Sequence, residues 1–397
     1  MTAAPDSRSA WVAACAALAI LTIAHGAPLI ATVSLTRISA ELATSRAAPA
    51  AAGSFTYIGA AVGGIVAGWL AGRVGFRPVV LFGAVMLAAG LFVSTLGGMP
   101  ELYLGHGLLI GLFGTSCMLS PLVTYVSLWF ERNRGSAVAL ISSGQSISGA
   151  LWPMLFDYTI SQFGWRQTMT IYAAFALIAV ALLAIVFLNP PPAIAPANVG
   201  PASRKSSHAV MIVLMIAVFC CCVPMNMPIQ HIVAFCGDLG IASQRGALML
   251  SVMLGAAFLA RQFWGYVADR IGGLKTLIWS SFAQALALSG LLVTQNEALL
   301  MAISAAFGFG LSGLLPAYVI TIREHYPAAE ASWRVPTVMF AGYLGMAAGG
   351  WGAGAIYDRF GFYVPAFGAG MAFNMINLLL LIGLALWLTP TRARAVA

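Results

Sequence analysis

Long runs of uncharged, apolar residues recur along almost the whole chain and limit what it can fold into. A helix needs about 20 such residues to cross the hydrocarbon of a bilayer. We find twelve runs of suitable length and composition, at residues 11–33, 52–72, 78–97, 101–129, 136–160, 168–188, 209–233, 246–268, 274–294, 298–322, 334–356 and 364–388. The runs predict an all-α membrane protein with twelve transmembrane helices, and we expect it in the cell inner (plasma) membrane as a multi-pass protein.

The composition excludes the soluble classes. Of 397 residues, 61% are hydrophobic and 8% are charged, whereas soluble domains carry about 25% charged residues. The net charge of +8 comes from basic residues scattered between the apolar runs, so we expect the lipid bilayer and no nucleic acid as a partner. The six cysteines form no Cys-x-x-Cys pair and no set with metal-ligand spacing, and we expect no metal and no cofactor.

The runs fall into two sets of six. The stretch "NPPPAIAPANVGPASRKSSH" at residues 189–208 separates the sets, and its composition is typical of a flexible linker. We therefore expect an N-terminal bundle at 1–190, a cytoplasmic linker at 191–208 and a C-terminal bundle at 209–397. Thirteen of the nineteen Lys and Arg lie in the termini, the linker and the even-numbered loops, and five lie in the odd-numbered loops. This asymmetry predicts that both termini are cytoplasmic.

The two sets resemble each other at a fixed offset. "GWLAGRVGFR" begins at Gly68 and "GYVADRIGGLK" begins at Gly265, which is 197 residues later. "FGW" at Phe163 and "FGF" at Phe360 differ by 197 residues again. Both pairs join equivalent spans, so the sequence predicts two six-helix bundles related by a parallel repeat.

On these motifs the chain resembles the major facilitator superfamily, whose second-to-third loop has the pattern G-x-L-a-D-R-x-G-R-R/K. The resemblance implies a transporter whose halves rock about a central site, with a cytoplasmic latch at this loop in each half. The first copy has Gly72 where the family has Asp. The expected gating residues are Arg73, Gly75, Arg77, Asp269 and Arg270.

Within the superfamily the chain is similar to the monocarboxylate transporters and the bacterial oxalate/formate exchangers. Three stretches carry the similarity: "WFERNRGSAVALISSGQSISG" at 129–149, the pattern "P…FGWR" at 153–166, and "ARQFWG" at 260–265. It implies a secondary active transporter of small organic anions, with monocarboxylates as the cargo and alternating access as the mechanism. That group also has an acid one turn before the eighth-helix arginine and a lysine in the first helix, whereas this chain has Ala257 and no first-span lysine.

Arg261 lies within the eighth apolar run, where a charged side chain costs a few kcal/mol. No other run has Asp or Glu near its middle, and the positions one turn away are Ala257, Phe258, Trp264 and Gly265. We therefore expect an anionic ligand to supply the compensating charge, since a guanidinium matches a carboxylate bidentately. The alternative is that Arg261 extends to the cytoplasmic face or bonds backbone carbonyls.

Prolines at matching places are expected to interrupt four spans, which line the cavity in the superfamily; they are Pro28, Pro224, Pro121 and Pro316. Polar residues near them are candidates for substrate binding, although such side chains often bond a neighbouring helix instead. An imidazole in the first span could also relay protons, and the sequence leaves proton symport, entry of the neutral acid and exchange for a counter-anion open. Besides Arg261, the candidates are His25, Ser116, Ser120, Asn226, Gln230, His231 and Tyr318, followed by Tyr57, Gln145 and Tyr343.

Two other functions are compatible with the fold. A drug or metabolite exporter would keep the architecture, but "ISSGQSISGALWP" in the fifth span lacks the Gly-Pro pair common in that class. A membrane sensor usually adds a soluble output segment, and the nine residues "TPTRARAVA" after Leu388 are too short for one. No phosphate loop and no paired-acid or Ser/His/Asp set is present, so neither ATP-driven transport nor enzyme activity is expected.

Overall fold

The computed structural model describes residues 6–130, 134–190, 208–326 and 328–393. Every regular element within these residues is a helix, which confirms the all-α prediction. The chain divides into two compact units, Met1–Pro196 (unit 1) and Ala197–Ala397 (unit 2). Apart from His208, the predicted linker at 191–208 lies outside the described residues.

Unit 1 contains nine α-helices and one π-helix in its described residues. In chain order they are α1 Arg8–Ala24, α2 Gly26–Val33, α3 Leu35–Glu41, α4 Ala47–Val74, α5 Phe76–Val93, α6 Met99–Tyr103, the π-helix Leu104–Thr115, α7 Ser116–Trp129, α8 Arg134–Ser142 and α9 Gly144–Phe187.

Unit 2 contains seven α-helices in its described residues. They are α10 His208–Asp238, α11 Ser243–Ile271, α12 Gly273–Val293, α13 Glu297–Ser312, α14 Leu314–His325, α15 Ala328–Phe360 and α16 Val364–Ala393.

Ten helical stretches among the described residues are long and apolar enough to cross a membrane. One of them includes α9, which has 44 residues and a break at Gly164, where φ is 78°, so it accounts for the fifth and sixth predicted spans. Helix α15, with 33 residues, contains the eleventh predicted span. The helices therefore account for all twelve predicted spans within the described residues.

Glycines in the left-handed region end equivalent helices in the two units. Gly75 follows α4 with φ 91°, and Gly272 follows α11 with φ 83°. Gly164 and Gly361 have φ 78° and 80°. Each pair is separated by 197 residues, and only glycine adopts these angles without strain. The sequence repeat is thus also a repeat of backbone conformation.

The same offset relates one close helix contact in each unit. A Cβ on Gly111 of the π-helix would lie 2.7 Å from the carbonyl oxygen of Thr56 in α4, and one on Gly308 of α13 would overlap the carbonyl oxygen of Met253 in α11. Both glycines allow the backbones to approach, as small residues do in membrane helix packing.

The π-helix in the fourth span coincides with an irregularity in the repeat. Ten residues separate Gly111 from Pro121, whereas eight separate Gly308 from Pro316. Unit 1 therefore carries two additional residues in this part of the span. A π-helical turn is wider than an α-helical turn and accommodates inserted residues without ending the helix.

Polar contacts hold α3, the helix that follows the first span of unit 1, against α9. Arg166 and Glu41 form an ion pair, and the indole N–H of Trp165 donates to Glu41 Oε2 at 2.6 Å. Arg166 also donates to the carbonyl oxygens of Thr95 and Gly97 at 3.2 and 2.9 Å. These contacts fix the end of α3 relative to the turn at Gly164.

Candidate functional site

Arg261 lies well inside α11, 18 residues after Ser243 and ten residues before Ile271. The helix is roughly 42 Å long at 1.5 Å per residue, so the Cα of Arg261 is about 15 Å from its nearer end. If the helix is centred on a hydrocarbon layer of about 30 Å, Arg261 is about 9 Å inside the nearer boundary. Its side chain is partly exposed and makes an interaction within the chain.

Arg261 lies on the same face of α11 as Ala257 and Trp264, which are buried. Trp264 is buried, and its indole N–H donates to the carbonyl oxygen of Phe309 at 2.8 Å. One turn beyond Arg261, no heavy atom lies within 4 Å of the position that a Cβ on Gly265 would take. The turn of α11 that follows Arg261 therefore has room for another group.

The first span breaks between α1 and α2, at His25. Pro28 has no N–H, so the carbonyl oxygen of Ala24 loses its helical donor. His25 Nδ1 is 2.8 Å from the carbonyl oxygen of Leu21. Since a carbonyl only accepts, Nδ1 carries the proton and Nε2 is the acceptor atom of the neutral ring. His25 is partly exposed.

Two aromatic residues of α9 support this break. Trp152 Nε1 donates to the carbonyl oxygen of Thr22 at 2.9 Å, and the Tyr172 hydroxyl donates to that of Ile23 at 2.7 Å. Any side chain on Gly26 would overlap the Tyr172 hydroxyl. The sequence analysis did not identify Trp152 and Tyr172, because their roles depend on carbonyls that are 130 and 149 residues away in the sequence.

Ser116 and Ser120 lie where the fourth span packs on α4. The Ser116 hydroxyl donates to the carbonyl oxygen of Leu112, and a Cβ on Gly63 would lie 2.6 Å from its Oγ. A Cβ on Gly68 would lie 3.3 Å from the Ser120 Oγ. Both hydroxyls are thus close to glycines of α4, a position that helix packing explains.

Three candidates in the seventh span are buried against α15. Asn226 Nδ2 donates to the carbonyl oxygen of Met346 at 2.7 Å, and its buried Oδ1 has no hydrogen-bond partner. The side chain of Gln230 lies against Gly350, where a Cβ would be 2.6 Å from its amide. His231 Nε2 is 2.8 Å from the carbonyl oxygen of Gly350. These contacts join α10 to α15.

Tyr318 is fully buried in unit 2. Its hydroxyl donates to Asn377 Oδ1 at 3.0 Å, and Asn377 Nδ2 donates in turn to Ser281. Asn374 Nδ2 donates to Gln284 Oε1 at 2.7 Å. The interior between α12, α14 and α16 is therefore polar. The sequence analysis proposed a candidate residue in α14 and none in α12 or α16.

The remaining candidates are not fully buried. Gln145 is exposed on α9, and Tyr57 and Tyr343 are partly exposed. The structure brings together Asn226, Gln230 and His231 on α10, and it does not join the other candidates into one described cluster.

The expected gating residues lie at equivalent helix ends in the two units. The guanidinium of Arg73 stacks on Trp69, and that of Arg270 on Tyr266, each 4.0 Å from the ring centroid. Both pairs are related by 197 residues. Asp269 is exposed.

Two further contacts involve the same loops. Arg77 Nε donates to the carbonyl oxygen of Leu188 at 3.1 Å, which ties the start of α5 to the end of α9. In unit 2, the backbone N–H of Gly273 donates to the Glu324 carboxylate at 3.0 Å. That negative charge lies at the N-terminus of α12, where the helix dipole favours it.

Comparison with known proteins identifies the family. The family profile described as Major Facilitator Superfamily matches residues 10–235 and 212–397, which is nearly the whole chain. The chain belongs to the Major Facilitator Superfamily. The predicted family and fold are therefore confirmed, and this superfamily member is a multi-pass membrane protein.

Relatives within the superfamily carry two kinds of name. "Monocarboxylate transporter 13" of Bos taurus is 25% identical over 314 residues, which cover 77% of this chain and 72% of that protein. "Agnestins efflux protein AgnL12" of Paecilomyces divaricatus is 29% identical over 221 residues, which cover 53% of this chain and 49% of that protein. The chain spans less than two thirds of the length of several curated relatives that it matches, with shares of 49% to 65%.

A solved structure supports the fold alone. The nucleoside transporter NupG is 14% identical, with a TM-score of 0.73 over 92% of this chain and 98% of that chain.

Proposed function

We propose that this superfamily member is a secondary active transporter of small organic anions, chiefly monocarboxylates, and that Arg261 binds the carboxylate. The observation that carries the proposal is an arginine well inside the long apolar helix α11, with its Cα about 9 Å inside a hydrocarbon layer centred on that helix. Intramembrane ionisable residues mark substrate or ion pathways more often than packing positions. The match to Monocarboxylate transporter 13 supports the same substrate class.

The proposed binding step is an exchange of contacts at Arg261. The guanidinium already makes an interaction within the chain, which an entering carboxylate would replace or share. A carboxylate accepts two parallel N–H bonds from arginine. The space beside Gly265 would admit the small body of the substrate.

In unit 1, His25 is the candidate best suited to bind a substrate or a proton. Its Nδ1 is held by the Leu21 carbonyl oxygen, which leaves Nε2 to accept a hydrogen bond or a proton. Ser116, Asn226, His231 and Tyr318 already have polar atoms bonded within their own units. We assign these four a role in helix packing.

The mechanism proposed is alternating access, in which the two units rock and expose the site to each side in turn. Membership in the superfamily and the 197-residue repeat support it. The loops with Arg73, Gly75, Arg77, Asp269 and Arg270 would then act as the gating elements.

A metabolite exporter is the second candidate function. It is favoured by the match to a relative named as an efflux protein at 29% identity. Cargo size distinguishes the two functions, because a monocarboxylate carrier discriminates against large amphipathic acids and an exporter accepts them.

The test is uptake of labelled lactate, pyruvate and a longer amphipathic acid into proteoliposomes. We expect Arg261→Gln to lower uptake of each accepted carboxylate by roughly 10- to 100-fold, since charge-assisted hydrogen bonds contribute about 1.5–3 kcal/mol. Arg261→Lys should retain a small part of the activity, because lysine cannot form the bidentate fork. The control is Lys275→Gln, which removes an exposed charge from the same unit.

Each outcome has one interpretation. Normal uptake by Arg261→Gln, with a folded and inserted protein, would assign Arg261 to packing and reject the proposal. Preference for the amphipathic acid over lactate would favour the exporter. An imposed pH gradient drives proton symport but leaves anion exchange unchanged, so the same vesicles distinguish the two modes.

A further inference from the structure

A groove runs along the outer surface of unit 1, between α1 and the end of α9. Two adjoining cavities of about 330 and 360 Å³ form it and share Arg8, Val12 and Phe187. Val12 is 44% exposed and Phe187 is 38% exposed, so large apolar side chains in the groove remain uncovered. Cys15 is exposed in the same groove.

The groove is charged and polar at one end and apolar at the other. At one end lie Arg8, Ser9, Trp129 and Asn189. Toward the membrane interior the lining becomes apolar and includes Ala19 and Leu183. An exposed guanidinium and hydroxyl, from Arg8 and Ser9, followed by an apolar channel match a phosphate head group with a hydrocarbon chain behind it.

The length of the groove agrees with one leaflet. From Arg8 to Ala19 the helix advances eleven residues, or roughly 16 Å at 1.5 Å per residue. Half of a hydrocarbon core of about 30 Å is about 15 Å. The groove therefore matches one acyl chain and extends no further than a single leaflet needs.

A neighbouring acid narrows the chemistry of the head group. The backbone N–H of Asp6 donates to the carbonyl oxygen of Trp129 at 3.0 Å, so a carboxylate belongs to the same end of the groove as Arg8. A carboxylate at the same end as the Arg8 guanidinium repels a phosphomonoester, with two negative charges, more than a phosphodiester with one. The pair of charges therefore favours a phosphodiester.

From these observations we propose that the groove between α1 and α9 is a binding site for a phospholipid, with the phosphodiester at Arg8 and an acyl chain along Val12, Cys15, Ala19 and Leu183. The site is independent of the transport cargo. It would seat a lipid of the leaflet at the chain's N-terminal side and anchor the start of the first span.

The test measures lipid binding to the full-length protein in detergent by native mass spectrometry. The probe is dioleoyl phosphatidylglycerol, compared with dioleoylglycerol, which lacks the phosphate, and with glycerophosphoglycerol, the same phosphodiester without the chains. We expect Arg8→Gln to weaken phosphatidylglycerol binding by about five- to tenfold, the contribution of one basic residue near the surface. Cys15→Trp, which fills the groove, should weaken it at least as much, and Lys275→Gln should bind as the wild type does.

Three results would overturn the proposal. Equal binding of dioleoylglycerol would show that the phosphate is not recognised. Full displacement by glycerophosphoglycerol would show a soluble-phosphate site in place of a lipid site. Unchanged binding in Cys15→Trp, with Arg8→Gln also unchanged, would show that the lipid binds elsewhere.

Discussion

His231 joins two helices of unit 2 through both nitrogens of its ring. Nε2 donates to the carbonyl oxygen of Gly350 at 2.8 Å, and Nδ1 accepts from the Tyr363 hydroxyl at 3.0 Å. The carbonyl oxygen only accepts, so Nε2 carries a proton, and in the neutral ring Nδ1 accepts from the Tyr363 hydroxyl. His231 is fully buried, so both bonds form where water does not replace them. We interpret it as a structural clasp and not as a proton carrier.

We predict that His231→Phe lowers the stability of the purified protein by about 1–3 kcal/mol, because it leaves a buried carbonyl and a hydroxyl without their partner. Tyr363→Phe removes one bond and should cost about 1 kcal/mol. Apparent melting temperatures in detergent, with lactate uptake after reconstitution, would measure both effects. Uptake lost in His231→Phe at an unchanged melting temperature would contradict the structural assignment.

At the residue scale, the sequence predicts the depth of a charged side chain in the membrane better than it predicts the hydrogen-bond partner of a polar one. The position of Arg261 inside a span follows directly from counting residues along the eighth run. The partner of Tyr318 does not, because Asn377 lies 59 residues away in another helix. Polarity within an apolar run has the same appearance whether the side chain meets a ligand or a neighbouring helix. Asn374 and Asn377 were visible as polar residues in the twelfth run, but one sequence does not give the direction in which they point.

Close packing of helices depends on glycines whose neighbours are backbone atoms. The carbonyl oxygen of Met253 occupies the space that a Cβ on Gly308 would need, so α11 and α13 approach more closely than larger side chains permit. A flexible side chain can move aside, whereas a carbonyl in a helix cannot move without disturbing its hydrogen bond.

We therefore predict that Gly308→Leu destabilises unit 2 by at least about 1–3 kcal/mol through overpacking. Gly352→Ala is the matched control, because no heavy atom lies within 4 Å of its Cβ position and alanine favours helix. The yield of monodisperse protein and its apparent melting temperature measure the difference. Equal behaviour of the two variants would mean that α11 and α13 do not pack as the structure has them.

The helices and their breaks were predictable where apolar runs, glycines and prolines determine them. The break at Gly164 follows from a glycine between two apolar runs, and the break at His25 agrees with the missing donor of Pro28. Pro121 and Pro224 were expected to interrupt their spans as well, but α7 and α10 continue through them. Neighbouring helices can stabilise a proline-containing helix, and that contribution is not visible in a single sequence. The π-helix was signalled only by the two-residue change in offset.

For the molecule as a whole, the repeat and the distribution of basic residues are the most informative features. The same glycine angles recur 197 residues apart, which is consistent with two units built from one plan. Direction in the membrane is a separate property, because a fold and its inverted orientation have the same internal contacts. Only the excess of Lys and Arg on one side, thirteen against five, predicts which side faces the cytoplasm.

This prediction is testable with single cysteines at exposed positions on the two sides. Cys15 is exposed and is first changed to serine, whereas the other five native cysteines are buried. Lys275 and Arg359 are both exposed in unit 2, and they lie in loops of opposite predicted side. In intact cells, a membrane-impermeant maleimide should label Arg359→Cys at once and should label Lys275→Cys only after permeabilisation. Arg73→Cys, at the helix end of unit 1 equivalent to Arg270, should behave as Lys275→Cys does, since an even number of crossings separates the two loops. Reversed labelling of all three variants would show that the fold is correct and the predicted orientation is wrong. A difference between Arg73→Cys and Lys275→Cys would mean an odd number of crossings between the two loops, and the parallel repeat itself would be rejected.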